Sequence, residues 1–572
     1  MTEMELYKLW SSQDLDDPDL KKELEEIAGD EEAIKDRFYQ TLAFGTAGLR
    51  GVLGAGTNRM NIYVVRQATQ GLADYLNAKY DSPKVCIGYD SRIKSDLFAK
   101  ETARVLAANG VTAMLYGQLM PVPCTSFGTR YMKCQAGVMV TASHNPAKYN
   151  GYKVYGDDGC QITDEGAAAV LANIQSVDIF TGVKTMDFDE GVAKGLIQTV
   201  PKEVEEAFYQ AVLSQSINGD LCKEAGLRVV YSPLNGTGNI PVRTILNRIG
   251  IDDVIVVPEQ ELPDGNFPTC PFPNPEIAEA LDLGLKLCKE VKADLMLATD
   301  PDCDRVGIAV PDRDGNYVLV TGNEVGAMLM EYICYARIER GTMPEKPVAV
   351  STVVSTAIAG KIAKKYGVEF RQVLTGFKYI GEQIHFLEEE GHPERFIFGF
   401  EESYGYLVGT HARDKDAVVG SMMICEMAAY LKSKGVTVLD FLESIYHEYG
   451  YYHHVQQSFV CEGEDGMKRM NEIMEDLQAN PPMEIAGLKV QQIDNYITHE
   501  SKNLVTGEVS KIDLPKSKVL AYHLEGGAKV IIRPSGTEPK IKAYYTTIAS
   551  NKADAAAQQK ELAADFSKKL GF

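Results

Sequence analysis

Positive charge is scarce in this sequence: 58 Lys and Arg stand against 80 Asp and Glu, for a net charge of -22. A surface so acidic repels phosphodiester backbones and anionic lipid, so neither nucleic acid nor a membrane is an expected partner. Any anionic ligand needs a local basic pocket. Paired cysteines are also missing. The 11 Cys are scattered singly from Cys86 to Cys461 with no C-x-x-C spacing, which argues against a disulfide framework or a zinc ribbon and for a reducing compartment. No apolar run approaches the roughly 20 residues that cross a bilayer. The first thirty residues, with Asp14, Asp16, Asp17 and Asp19, lack the basic start and apolar centre of a secretory signal. The expectation is a cytoplasmic protein.

What is present is length and a repeating grammar. At 572 residues the chain exceeds what one hydrophobic core supports, and three to five domains are expected. Residues 1–40 read as acidic amphipathic helix, with Leu20, Leu24 and Ile27 at helical spacing. After that, short β-rich runs end in polar or Gly-rich segments, each followed by a helical stretch. They cover residues 84–90, 137–143, 228–234, 293–300, 347–354 and 396–402. Strands alternating with helices predict an α/β fold, whose sheets place ligands at the carboxyl ends of their strands. The spacing divides this part near 1–204, 205–322 and 323–448. The tail, 449–572, has successive strands with short connections such as Glu525-Gly526-Gly527 and an Ala-rich closing helix, and reads as a smaller α+β domain.

Four polar clusters punctuate these units. Thr141-Ala142-Ser143-His144-Asn145-Pro146 presents a serine beside an imidazole at a strand end, as a nucleophile needs; the same residue types also populate plain turns. Asp300-Pro301-Asp302-Cys303-Asp304-Arg305 sets three carboxylates at alternate positions, hard oxygen ligands suited to Mg²⁺, the competing reading being a solvated acidic turn. Glu401-Glu402-Ser403-Tyr404-Gly405 offers acceptors and a hydroxyl for sugar hydroxyls, or else a helix N-terminus. Arg533-Pro534-Ser535-Gly536-Thr537-Glu538-Pro539-Lys540 offers a planar fork, hydroxyls and open backbone N–H groups, a cradle for a phosphate dianion or a structural turn. It lacks the spacing of a Walker loop. His453 and His454 have no ligand partner at useful spacing and read as packing residues.

Taken in this order, with Phe44-Gly45-Thr46-Ala47-Gly48-Leu49-Arg50 upstream, the four motifs resemble the signature set of the α-D-phosphohexomutase superfamily. Within it they are most similar to the phosphoglucomutase branch that holds bacterial α-phosphoglucomutases and animal phosphopentomutase-like enzymes. The resemblance implies three similar mixed α/β domains plus a C-terminal α+β domain around a central cleft. It implies that Ser143 is phosphorylated in the resting enzyme, and that Asp300, Asp302 and Asp304 hold Mg²⁺ together with that phosphoserine. Arg305, Glu401 and Ser403 would meet the sugar, and Arg533, Ser535, Gly536, Thr537 and Lys540 the phosphate that is not reacting. Arg50, His144, Lys153 and Lys378 fall where the family places cationic and acid/base residues.

The implied reaction interconverts glucose 1-phosphate and glucose 6-phosphate through a glucose 1,6-bisphosphate intermediate, which also serves as activator. The expected partners are small sugar phosphates, with the chain a monomer or weak dimer. Mannose or pentose phosphates as main substrates, a phosphosugar hydrolase and a silent binding protein are the competing readings. Two positions depart from the family pattern. Phe400 stands where glucose-specific members have Gly, and Cys303 where many relatives carry Gly or Ala.

Overall fold

The computed structural model describes residues 1–45, 48–461, 464–534 and 540–572. The acidic N-terminal segment forms three short helices rather than one: Glu3–Ser11, Pro18–Glu26 and Glu31–Phe38. The breaks are chemical. Asp17 caps the second helix with Pro18 in its first turn, and the Asp30 carboxylate caps the third by accepting from Ala33 N. Leu20, Leu24 and Ile27 are buried against the first domain.

Four sheets follow. The first runs Gly48–Val52, Tyr149–Gly156, Ala136–Val140, Lys84–Tyr89, Thr112–Leu115, Ile197–Thr199. The second runs Tyr317–Val320, Val306–Pro311, Leu295–Thr299, Val229–Ser232, Val254–Val256, and the third Glu369–Val373, Val348–Thr352, Phe396–Glu401, Gly405–Leu407. Their central strands are parallel and wholly buried, as strands covered by helices on both faces must be. The fourth sheet is antiparallel throughout its path, from Tyr451–Val460 through Lys540–Ala549, Lys529–Pro534 and Leu520–Leu524 to Leu488–Asn495 and two short edge strands. The helix Lys552–Lys569 closes it. The α/β and α+β classes expected from the sequence are both present.

One expectation is corrected. Strands Ala136–Val140, Leu295–Thr299 and Phe396–Glu401 do not lead into helices. Each turns through a tight loop into an antiparallel return strand: Tyr149–Gly156, Val306–Pro311 and Gly405–Leu407 respectively. The loops at 300–305 and 402–404 are too short for a crossover, which needs a dozen or more residues. Each loop carries a non-glycine residue in the left-handed region: Ser143 (φ 53°), Cys303 (φ 52°) and Tyr404 (φ 63°). A left-handed backbone favours Gly, one of the two residues, Gly or Ala, that the family pattern has at the position of Cys303.

The second and third sheets share one continuous apolar core, which also takes in Cys86, Met114 and Phe127 of the first domain and Tyr452 of the fourth; the fourth sheet has a further core of its own. Helix Ala417–Ser433 lies in the shared core and is buried all round from Ala417 to Leu431. Its Glu426 carboxylate, fully buried, accepts from Ile217 N, Asn218 N, Tyr332 Oη and Ser216 Oγ, joining the segment before the second sheet to the third domain. A smaller apolar cluster, including Val353, Val354 and Leu374 against Tyr496, Val519 and Tyr544, joins the third domain to the fourth.

Candidate active site

The three return loops converge. Main-chain bonds dock the 300–305 loop on both neighbours: Val122 N donates to Asp302 O, Val306 N to Tyr404 O, and Arg305 pairs with Gly405 as an isolated bridge. The chain therefore forms the centre from loops of separate domains, each held by its own sheet.

Ser143 sits at the middle, 4% exposed, its N–H donating to Thr141 Oγ1 at 2.8 Å. Its hydroxyl donates to Asp300 Oδ2 at 2.9 Å and lies 3.3 Å from His144 Nδ1. Burial, together with the charges of Arg305 and Arg50, pushes the His144 imidazole well below its usual range, so at neutral pH it is uncharged and able to accept a proton.

Asp300, Asp302 and Asp304 are all buried, with ligand oxygens within 4.8 Å of one another. Their environments differ. Lys153 Nζ bonds Asp302 Oδ2 at 2.9 Å and lies 3.4 Å from Asp304 Oδ2, and Lys415 Nζ reaches the same Asp304 oxygen at 3.1 Å. Burial opposes the Asp304 charge, but Lys415 and Lys153 outweigh it and hold this carboxyl below its usual range. Asp300 is pushed far upward by burial and by the charges of Asp302 and Asp304. Oδ1 of Asp302 and Oδ1 of Asp304 are buried with no hydrogen-bond partner among the described residues. Three close carboxylates with orphaned oxygens fit a hard divalent cation such as Mg²⁺.

The remaining expected residues divide. Arg50 lies on Gly48–Val52, with Nη1 3.5 Å from Asn145 Oδ1. Lys153 is directed at the aspartates rather than at Ser143. Lys378 joins neither group, its ammonium bonding Asp164 Oδ1 at 2.6 Å across to the first domain. Arg305 is anchored by Glu276, and its backbone N–H donates to Asp300 Oδ1. Glu401 accepts from Gly376 N at 2.7 Å, which ties the sugar loop to the Thr375-Gly376-Phe377-Lys378 segment; Ser403 is half-buried in the turn beside it. Arg533 Nε donates to Tyr544 Oη at 3.2 Å and faces Lys542 across the strand pair. Its charge, with those of Lys540 and Arg305, adds to burial in pulling the Lys542 ammonium below its usual range, which marks a cationic cluster suited to a dianion. Lys540 begins the strand Lys540–Ala549. Ser535, Gly536 and Thr537 lie outside the described residues.

Three participants escaped the sequence reading. Lys415 is one, the others being Asp90 and Arg92 beneath the serine loop. Within Arg413-Asp414-Lys415-Asp416, a charged run flanked by apolar residues and wholly buried, lay the available signal for Lys415. Gly405 has a task in this: a Cβ there would stand 2.2 Å from Lys415 Cδ, so only Gly lets that side chain through to Asp304. Phe400 does not line the cleft. It is 1% exposed, stacks on Phe398, and occupies the space where Gly326 has no Cβ, so this departure from the family motif packs into the core.

Comparison with known proteins identifies the family. Models of phosphoglucomutase/phosphomannomutase alpha/beta/alpha domains I, II and III match residues 41–179, 206–315 and 321–449. A phosphoglucomutase of Staphylococcus aureus is 37% identical over 525 residues, 91% of this chain and 92% of its own; one of Staphylococcus epidermidis is 37% identical over 508, covering 88% and 90%. Among solved structures, parafusin of Paramecium in its open form superposes with a TM-score of 0.68 at 18% identity, covering 93% of this chain and 97% of that one. A phosphoglucomutase/phosphomannomutase family protein of Burkholderia thailandensis gives 0.67 at 18%, covering 92% and 97%. No helix among the described residues is long and apolar enough to cross a membrane. With three of its motifs on converging loops of three domains and its relatives matched nearly end to end, the chain belongs to the phosphoglucomutase branch of the α-D-phosphohexomutase superfamily.

Proposed function

We propose that this protein is a phosphoglucomutase that interconverts glucose 1-phosphate and glucose 6-phosphate by way of phosphorylated Ser143. The observation that carries the reading is the Ser143 hydroxyl, held between Asp300 and an uncharged His144. A nucleophile, a proton acceptor and a cation loop are thereby assembled in one buried place.

The charged enzyme carries phosphate on Ser143 Oγ. The 6-OH of glucose 1-phosphate attacks phosphorus and gives its proton to the uncharged His144, a new O–P bond forms, the bond to Oγ breaks, and His144 passes that proton to Oγ, leaving glucose 1,6-bisphosphate. After the bisphosphate turns end over end, Ser143 Oγ gives its proton to His144 and attacks the phosphorus at the 1-position, the bond from that phosphorus to O1 breaks, and His144 passes the proton to O1. Glucose 6-phosphate leaves, and no phosphate is lost. Mg²⁺ held by Asp300, Asp302, Asp304 and the phosphoserine would supply charge neutralisation for the transferring group. Arg533, with Lys542 and Lys540 in the same strand pair, is placed to hold the idle phosphate at either end of the sugar, while Glu401 and Ser403 meet hydroxyls common to both orientations.

Purified protein given glucose 1-phosphate, Mg²⁺ and a trace of glucose 1,6-bisphosphate tests this. Glucose 6-phosphate without free phosphate is expected. Free phosphate as the main product would replace the mutase with a hydrolase, and no product would leave a binding protein. Mannose 1-phosphate and ribose 1-phosphate in parallel rank the sugar preference.

A further inference from the structure

Arg92 is a fully buried guanidinium without a task in the reaction. Arg92 follows the strand Lys84–Tyr89 and has a side chain 0% exposed. Its Nη1 donates to Pro146 O at 3.0 Å and Tyr149 O at 3.1 Å, and its Nη2 to Ser143 O and Asn145 O. All four acceptors are main-chain carbonyls within residues 143–149, the turn that presents Ser143 and the first residue of its return strand. Free carbonyls in a buried loop are costly, and one planar fork satisfies four of them.

Arg92 is itself fixed from two sides. The Asp90 carboxylate lies 3.4 Å from its Nε and accepts from its backbone N–H at 3.0 Å. The same carboxylate accepts from Thr141 Oγ1 at 2.6 Å, and that oxygen in turn accepts from Ser143 N. On the other side Phe267, from the second domain, holds its ring 5.1 Å from the guanidinium carbon. The backbone next to it fits so closely that a Cβ on Gly265 would stand 2.5 Å from Ile93 N. Ser143 is left-handed at φ 53°, a conformation costing a non-glycine residue roughly 1–2 kcal/mol, which persists only where neighbours over-determine it.

We infer that Arg92 is the positioning residue of the phosphoserine loop: through four main-chain carbonyls it fixes where Ser143 Oγ stands relative to Asp300 and His144. It touches neither sugar nor phosphate, so its contribution falls on phosphoryl transfer and not on substrate binding. This rests on the mutase reading. A lysine would keep the charge but lose the fork, and the loop would relax by a fraction of an ångström or more.

The test compares native protein, Arg92→Lys and Asp90→Asn for kcat and KM on glucose 1-phosphate at saturating Mg²⁺ and glucose 1,6-bisphosphate. Displacing a nucleophile by about 1 Å costs on the order of a hundredfold, so kcat of Arg92→Lys is expected to fall by about that factor. KM should stay within about threefold, because ground-state contacts are unchanged. Asp90→Asn is isosteric and carries the same prediction should Arg92→Lys fail to fold. A variant kcat within about threefold of native, or a loss residing in KM, overturns the proposal. Native protein run alongside separates the two failures: if it has no turnover, the mutase reading falls, whereas full native turnover with unaffected variants removes only the role of Arg92.

Discussion

Ser143 Oγ and Asp300 Oδ2 are 2.9 Å apart, and Asp300 is the aspartate of its loop whose nearest side-chain partner is this hydroxyl rather than an ammonium. Lys153 and Lys415 serve Asp302 and Asp304. The carboxyl pushed furthest upward by burial and by its neighbours' charges is thus the one beside the nucleophile. Replacing Ser143 by Ala removes the phosphoryl carrier while leaving the loop's main-chain bonds intact. Turnover of glucose 1-phosphate is expected to fall to assay background, and intact mass after incubation with glucose 1,6-bisphosphate should show no added phosphate. A variant retaining native turnover would end the covalent scheme.

Lys415 neutralises Asp304 from within the protein. Lys415→Met leaves a buried carboxylate short of a partner, a change of the order of 3–5 kcal/mol in the metal-free protein. The same change removes a positive charge that repels a divalent cation. The metal-free form should therefore melt earlier while the rise in Tm on adding saturating Mg²⁺ becomes larger than in native protein. An unchanged rise would show that Lys415 and the cation do not share Asp304.

Glu402 is pushed up to about 7 by burial and by the charge of Glu401 beside it. Since a raised carboxyl is protonated below that value, the loop gains a negative charge as pH rises through 7, and a phosphate dianion is then held less well. The ratio of native KM to that of Glu402→Gln should increase across this range, since the amide has no charge to gain. In stability the sign is the same. Between the usual carboxyl range and 7 the folded state binds the extra proton, so native stability falls with rising pH there and the Gln variant is spared. A KM ratio flat in pH would remove Glu402 from the site.

Glu426 bonds the chain before the second sheet into the third domain. Glu426→Gln keeps the shape but turns an acceptor oxygen into a donor facing backbone N–H groups, at a cost of about 1–3 kcal/mol. Denaturant midpoints should drop accordingly with KM unchanged. A KM effect as large as the stability effect would mean that the joint also sets cleft geometry.

Much of the site was legible because it is local in sequence. Ser143-His144 and the three aspartates stand within short segments, and apolar runs such as 137–140 and 295–298 place them at strand ends. The return strands were not legible, since Val306–Pro311 has the apolar character of any buried segment and only its pairing with Leu295–Thr299 gives its direction. Nor were Arg92 and Lys415. Their partners lie far away along the chain, Arg92 on carbonyls beyond residue 142 and Lys415 on Asp304, and no spacing rule reports such distances. Lys378 shows the converse: its motif placed it in the family's acid/base set, while the fold gives its ammonium to Asp164.

The shared core of the second and third domains has a thermodynamic corollary. Two sheets that bury one apolar cluster, with a common helix through it, cannot separate without exposing both, so they should unfold as a single cooperative unit together with the face of the first domain, Cys86, Met114 and Phe127, that packs into the same cluster. The fourth domain has a core of its own and meets the rest through a smaller seam against the third and through Tyr452, so it should be the first to melt or swing. The part proposed to hold the idle phosphate is therefore the part whose detachment requires the least disruption of the interior. Substrate entry and the first step of heat inactivation would begin with the same seam opening.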